Sequence, residues 1–450
     1  MRRHHLSHRP SLGLTLGLAL PTVLVVLALP AIAEDSAGAP TCDGLAATIV
    51  AGDEPDVTGT EGDDVIVSTS HEFQTIHGLG GHDAICPGDG FGVDVYGDEG
   101  DDRLFVQQAG AQGFGGPGND ELTGSPGYES LHGGLGNDVM RGLQGSDRLW
   151  GDEGDDWVSG GGGRDEVLDG LGDDVSVGGL GRDYLVQEYT SPDGTGVTLD
   201  IGAGTVAGGG GAGTFAGFEA YGGSDYPDVL RGSPARDDLY ADVGDVALGR
   251  GSDDLIHMHG AEAVGGKGDD ELHALNGGVM RGGPGEDRLM ADFDGAEGPD
   301  SVPTVAEGEG GDDVIAVVTV QGYYGSGGEL DLRAAGGSGR NVLTLADAYS
   351  VVTADLGDRT AVLGFGEITW QGIQRFVGSG GADRIAGSGG RDEIAGGPGP
   401  DTIGGGGGSD LMYGGRGADV LRGGRGIDIA HGQGGVDTCR AERRHGCERR

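Results

Sequence analysis

The chain has 450 residues, 103 of them glycine, and a formal net charge of −46. Glycine without a three-residue period excludes a collagen triple helix. The acid excess removes nucleic acid from the candidate partners, because phosphate binding needs basic surface. Apolar residues are too thinly spread for an ordinary globular core, so stacked short units are the better architecture.

Residues 1–33 read as a secretory signal. Arg2, Arg3 and Arg9 form its basic start, residues 12–29 are apolar, and Ala31-Ile32-Ala33 has the small-x-small cleavage pattern. The apolar run also has the length of a membrane anchor. Pro21, Pro30 and the cleavage pattern favour removal. A secreted, extracellular chain with no stable membrane span after cleavage is therefore expected. Residues 34–58 read as an N-terminal cap holding one worn repeat with Asp56. Four cysteines in an exported chain suggest two disulfides out of three possible pairings. Cys42 with Cys86 would tie the N-terminal segment to the first repeats, and Cys439 with Cys447 would close a terminal loop. A metal-thiolate site is the alternative, but no cysteine pair has C-x-x-C spacing.

Residues 59–186 form the first repeat block, with good units at 59–67 and 78–86 carrying Asp64 and Asp83, ten-residue segments without the motif after each, and then ten nonapeptides in register over 97–186. A unit such as Gly133-Gly134-Leu135-Gly136-Asn137-Asp138-Val139-Met140-Arg141 reads G-G-x-G-x-D-x-U-x, where U is large and apolar. Glycines supply turn conformations that a Cβ resists, and the last three positions make a short strand with its middle side chain inward. Two units complete one coil of 18 residues. Asp102, Asp120, Asp138, Asp156 and Asp174 then stack on one flank, and Asp147, Asp165 and Asp183 on the other. Ala111 and Glu129 replace Asp early on the second flank, so metal is expected there only in the later half. Ser176 at an inward position is expected to loosen its coil. Carboxylates stacked ~4.8 Å apart repel, so a cation must lie between turns. Hard oxygen donors select calcium over zinc or copper.

These units resemble the RTX (hemolysin-type) calcium-binding nonapeptide repeats. The resemblance implies an all-β fold, a parallel β-roll or β-helix solenoid of GGxGxDxUx repeats. It also implies multiple Ca²⁺ ions between successive turns, held by the sixth-position Asp and by turn carbonyls. Many such proteins carry a C-terminal secretion signal, so the N-terminal one departs from the pattern and suggests a general export route.

Two β-rich inserts interrupt the repeats, at 187–222 and 317–377. Val197, Thr198, Asp200, Thr205, Thr214, Gly217 and Asp228 recur 155 residues later as Val352, Thr353, Asp355, Thr360, Thr369, Gly372 and Asp383. This points to a duplicated insert-plus-roll unit. The inserts read as a bulge or larger coil of the same solenoid, or as a ligand platform built on Tyr221, Trp370 and Phe376. Between them, 223–316 is a degenerate block carrying Asp228, Asp237, Asp254, Asp270, Asp287 and Asp313, with one flank metal-binding and the other apo. Asn341 holds an Asp place further on. The last block, 378–440, lines Asp383, Asp401, Asp419 and Asp437 on one flank and Asp392, Asp410 and Asp428 on the other, and 441–450 reads as a C-terminal cap.

No catalytic motif emerges. His71-Glu72 lacks the second His of H-E-x-x-H, and no G-x-S-x-G is present. His257, Met258 and His259 read as solvated or packed. The expected function is non-enzymatic: a secreted calcium-binding protein whose β-roll folds on Ca²⁺ binding. It would serve as a structural, adhesive or interaction scaffold toward a cell-surface or extracellular polymer, and as a monomer if the disulfides blunt its ends. The alternative is a calcium-dependent hydrolase or lyase acting on polysaccharide. Carboxylates and aromatics clustered on one insert face would favour it.

Overall fold

A strand of three residues cannot pair within its own coil. It pairs with the equivalent strand one coil away. In the computed structural model, Glu121–Thr123 is hydrogen-bonded in parallel to Arg103–Phe105 on one side and Val139–Gly145 on the other. Ser130–Leu135 lies likewise between Gln112–Pro117 and Arg148–Glu153. The structure describes residues 40–89, 92–187, 194–293, 303–319, 330–348, 350–364 and 366–448, so the expected signal at 1–33 lies outside the described residues. Among those described, every regular element is a strand. Two long sheets result, a first of 24 strands and a second of 20. The first runs from Ile49–Ala51 to Thr438–Arg440, and the second from Asp56–Thr58 to Arg443–His445. The expected all-β parallel solenoid is the fold found.

Each strand sends one side chain inward. Leu104, Leu122, Met140 and Val158 come from the first sheet, and Leu131, Leu149, Val167 and Leu185 from the second, all fully buried. One such residue contributes about 1.5–3 kcal/mol, while ordering each backbone residue costs about 1–2 kcal/mol. A single coil is therefore unstable, and only its neighbours hold it. Outward positions stack as well. The rings of His77, Tyr96, Phe114, His132 and Trp150 form a face-to-face ladder with centroids 4.1 to 4.9 Å apart. That is the strand spacing read off aromatic rings.

Each insert replaces one strand of the first sheet by three. Val197–Asp200 pairs antiparallel with Thr205–Gly208, which pairs antiparallel with Gly211–Ala216. The outer two rejoin the parallel ladder through Val229–Arg231 and Val175–Gly181. Thr353–Asp355, Thr360–Leu363 and Gly366–Gln371 repeat this arrangement. Among the described residues the second sheet gains no strand at either place. Across each insert the first sheet is therefore about 10 Å longer, at ~4.8 Å per strand.

The insert aromatics make no platform. Tyr221, Trp370 and Phe376 are all buried, with Trp370 stacked on Phe376 at 5.4 Å and Tyr221 against Phe215 at 5.7 Å. They fill the wider coil that the extra strands create. Phe376→Ala should accordingly cost about 3–5 kcal/mol, measurable by denaturant unfolding in saturating calcium. A loss below 1 kcal/mol would contradict a core role. Ser176 also corrects the expectation. It is fully buried and donates to Asp169 at 2.8 Å, whose other oxygen accepts from Gln187, so a satisfied polar group replaces the missing apolar contact.

Both expected disulfides are present, Cys42–Cys86 and Cys439–Cys447. The first pins the hairpin of Thr41–Cys42 and Leu45–Ala46 onto the solenoid, with Cys42 packed against Val67 and Ala84. Among the described residues no helix is long and apolar enough to cross a membrane.

Candidate metal sites in the turns

The turn of 142–147 shows how the sequence makes a site. Its second and fourth residues, Leu143 and Gly145, have φ of 78° and 126°. Two left-handed residues wind six residues tightly enough that Asp147 folds inside and is almost fully buried. Its Oδ1 accepts the Glu129 N–H at 2.9 Å, and its own N–H donates to Asp165 Oδ1 at 2.9 Å. Its Oδ2 is buried and has no partner.

This relay runs the length of each flank. On the first, Asp64, Asp83, Asp102, Asp120, Asp138 and Asp156 each pass an N–H to the next carboxylate, ending on Asp174. On the second, Glu129, Asp147, Asp165 and Asp183 do so, ending on Glu219. In the middle block the second flank carries Asp237, Asp254, Asp270, Asp287 and Asp313, continued by Asn341 and Gln374. Among the described residues the first flank there has Asp228 and Asp245. In the last block Asp383, Asp401, Asp419 and Asp437 end on Glu448, and Asp392, Asp410 and Asp428 end on Glu442. Sequence reading missed Asp245, Glu219, Gln374, Glu442 and Glu448. Their signal is weak, because each stands where a spacer, insert or tail has broken the nine-residue count.

Seventeen of these turns leave Oδ2 buried and unpartnered: those of Asp83, Asp102, Asp120, Asp138, Asp147, Asp156, Asp165, Asp183, Asp254, Asp270, Asp287, Asp313, Asp401, Asp410, Asp419, Asp428 and Asp437. Asp64, Asp174, Asp228, Asp237, Asp383 and Asp392 are not among them. An orphaned carboxylate oxygen is costly to bury. Burial pushes the Asp120 and Asp138 carboxyls up to about 7 and Asp147 to about 8; neighbouring carboxylates add to this, and the donated N–H opposes it. Such a group takes either a proton or a cation.

The surroundings fit a cation. A methyl built on Gly142 would lie 2.6 Å from both Asp147 Oδ2 and the Gly160 carbonyl oxygen of the next turn. Two acceptors thus share one cradle, and only glycine leaves it open. Where Asn341 replaces Asp, its Nδ2 fills the same place and donates to the Gly372 carbonyl at 3.2 Å. The amide bridges the two turns as an ion would between two oxygens. Among the described residues no three His, Cys, Asp or Glu side chains converge. An ion would therefore be held by Asp carboxylates and turn carbonyls, an all-oxygen set suited to calcium. When bound it would supply the charge that lets these carboxylates ionise inside the turn.

A separate groove of about 530 Å³ lies over the second sheet between the inserts, lined by Tyr184, Tyr240, His257, His273, Met290 and Asp242 among others. His257 stacks on Tyr240 at 4.7 Å, and burial, then His273, lowers its pKa. Met258 is buried. The lining contains no serine or cysteine nucleophile.

A family model for the RTX calcium-binding nonapeptide repeat matches four stretches, residues 114–149, 150–185, 377–412 and 413–443. No curated protein matches the chain, and no enzyme family is found. The matched stretches fall on the regular blocks where both flanks carry aspartates. With its two sheets joined by these turns, the chain is a β-solenoid that carries RTX calcium-binding nonapeptide repeats in these four stretches.

Proposed function

We propose that this is an exported scaffold protein whose repeat blocks fold when calcium enters the turns. The observation that carries the reading is the set of seventeen buried carboxylate oxygens without a partner. Their repulsion and desolvation oppose stacking until a cation bridges them. Calcium binding and folding are then one equilibrium, and stability rises with free ion concentration. The signal-like pattern of residues 1–33 and the two disulfides support export into an oxidising, calcium-rich medium. A scaffold of this kind presents a long regular surface, and its partner would be a cell-surface or extracellular polymer. We read it as a monomer, because an accepting glutamate and a disulfide finish the C-terminal end.

The direct test is circular dichroism of the chain after chelation, titrated with Ca²⁺ and, separately, Mg²⁺. A cooperative gain of β signal with calcium alone is expected. Full β structure in excess chelator at neutral pH would sink the proposal.

A further inference from the structure

Twenty-three of the acidic turns fall into two backbone classes, separated by the residue at the second position. The turn of Asp174 belongs to neither, because Gly170 stands second there without positive φ and Asp174 keeps no buried orphaned oxygen. In all seventeen turns with an orphaned Oδ2 the second residue has positive φ, from 68° to 117°. Glycine is not required, since Leu79, Asp98, Leu143, Asp152, Arg250, Glu309 and Gln433 adopt it too. Six other turns carry a hydroxyl at this place: Thr60, Ser125, Ser224, Ser233, Ser379 and Ser388. None of the six has positive φ.

In this second class the turn closes on its own carboxylate. Ser379 donates its N–H to Asp383 Oδ2 at 2.6 Å and its hydroxyl to Oδ1 at 2.8 Å. Ser388 does the same to Asp392, at 2.6 and 3.0 Å. Thr60 caps Asp64, Ser125 caps Glu129, Ser224 caps Asp228 and Ser233 caps Asp237. None of these six carboxylates keeps a buried oxygen without a partner. The placement is regular as well. Ser224 and Ser233 follow the first insert, one on each flank, and Ser379 and Ser388 stand 155 residues later in the same places after the second.

We infer that the hydroxyl turns are closed without metal, and that the coil after each insert is a calcium-independent platform for the calcium-dependent coils stacked on it. The serine supplies two donors where the other class needs an ion. Asp64, Asp228, Asp237, Asp383 and Asp392 then belong to the hydrogen-bonded framework rather than to the metal sites. The inference rests on the calcium reading above and adds which turns refuse the ion. The deciding residue is the second of each turn, because the fourth is already glycine at Gly381 and Gly390.

The test uses the whole chain. Bound calcium is counted by elemental analysis after equilibrium dialysis for the parent, Ser379→Gly, Ser388→Gly and Ser379→Ala. Each glycine variant completes a G-G-x-G-x-D turn and should bind about one more ion per chain. Ser379→Ala frees the carboxylate without favouring positive φ, and should add none. Unchanged counts in glycine variants that retain the parent β signal would overturn the inference. If those variants do not fold, Gly415→Ser supplies the reverse test and should lose about one ion; an undiminished count would also overturn it. Hydrogen exchange of the parent in chelator is independent of any count. The amides of Ser379 and Ser388 should stay protected while those of Gly415 and Gly424 exchange, and equal protection would contradict the two classes. A parent that binds no calcium at all defeats the function proposed above, whereas a parent that binds calcium equally with or without the serines defeats only this assignment.

Discussion

Stripped of metal, the protein should be more stable at pH 5.5 than at pH 8, by more than about 10 °C in Tm, the reverse of what salt-bridged carboxylates produce. Burial is the first cause, raising Asp102 to about 6 and Asp120, Asp156, Asp254, Asp287 and Asp401 to about 7, from an ordinary 3.8. Because the folded pKa lies above the unfolded one, the folded state binds more protons between them. Stability from these groups is complete below about 4 and drains away as pH rises through 6 to 7. At pH 8 the metal-free turns must hold ionised carboxylates, and there the loss is full. The lower condition is still above the isoelectric point of about 4.2, so precipitation does not confuse the comparison.

Calcium inverts the order. An ion in the turn replaces the proton, so each site filled near neutral pH releases protons, and calcium stabilises more at pH 8 than at pH 5.5. Thermal melts at both pH values, with chelator and with saturating calcium, fix the sign, and a chelated sample at pH 8 without a cooperative transition of the repeat blocks counts as the full loss. A chelated protein whose Tm falls on acidification would mean that the Oδ2 atoms already have a cationic partner.

The period of nine makes much of this legible in the sequence. It sets an 18-residue coil, which places Asp102 beside Asp120 and Asp138 beside Asp156 and turns Leu122 and Met140 inward. Where the count fails, the sequence says little. The inserts have ordinary β-formers but no period, so nothing distinguishes an outward Trp370 from the buried one found. Strand reversal in 197–216 is likewise invisible, because antiparallel and parallel strands share the same residue preferences. Ladder members such as Asp245 and Glu219 are chosen by reach alone. Any side-chain oxygen that meets the preceding N–H will serve, whatever its number in the repeat. The hydroxyl turns are the opposite case. Their G-[ST]-x-x-x-[DE] spacing stands in plain view, yet only the backbone φ values and bonded oxygens show that it specifies a different turn.

Gly163→Ala should be far more damaging than Gly162→Ala, although the two residues are neighbours in one turn. Gly163 has φ of +144°, and a Cβ there would overlap the carbonyl oxygen of Gly145 on the preceding coil. Left-handed strain of about 1–2 kcal/mol adds to overpacking against backbone of about 1–3 kcal/mol. No flexible side chain can yield, since the obstructing atom belongs to the neighbouring turn itself. A Cβ on Gly162 meets nothing nearer than 3.9 Å and needs no unusual φ, so that substitution should stay within about 0.5 kcal/mol. The costly variant should lose calcium as well as stability, because the turns holding Asp147 and Asp165 are the ones driven apart. Denaturant unfolding and calcium counting on both variants test this together. Equal stability losses would show that the close approach of successive turns is not what glycine provides at the fourth position. A stability loss at Gly163 without any loss of calcium would separate the packing of the turns from their occupancy by metal.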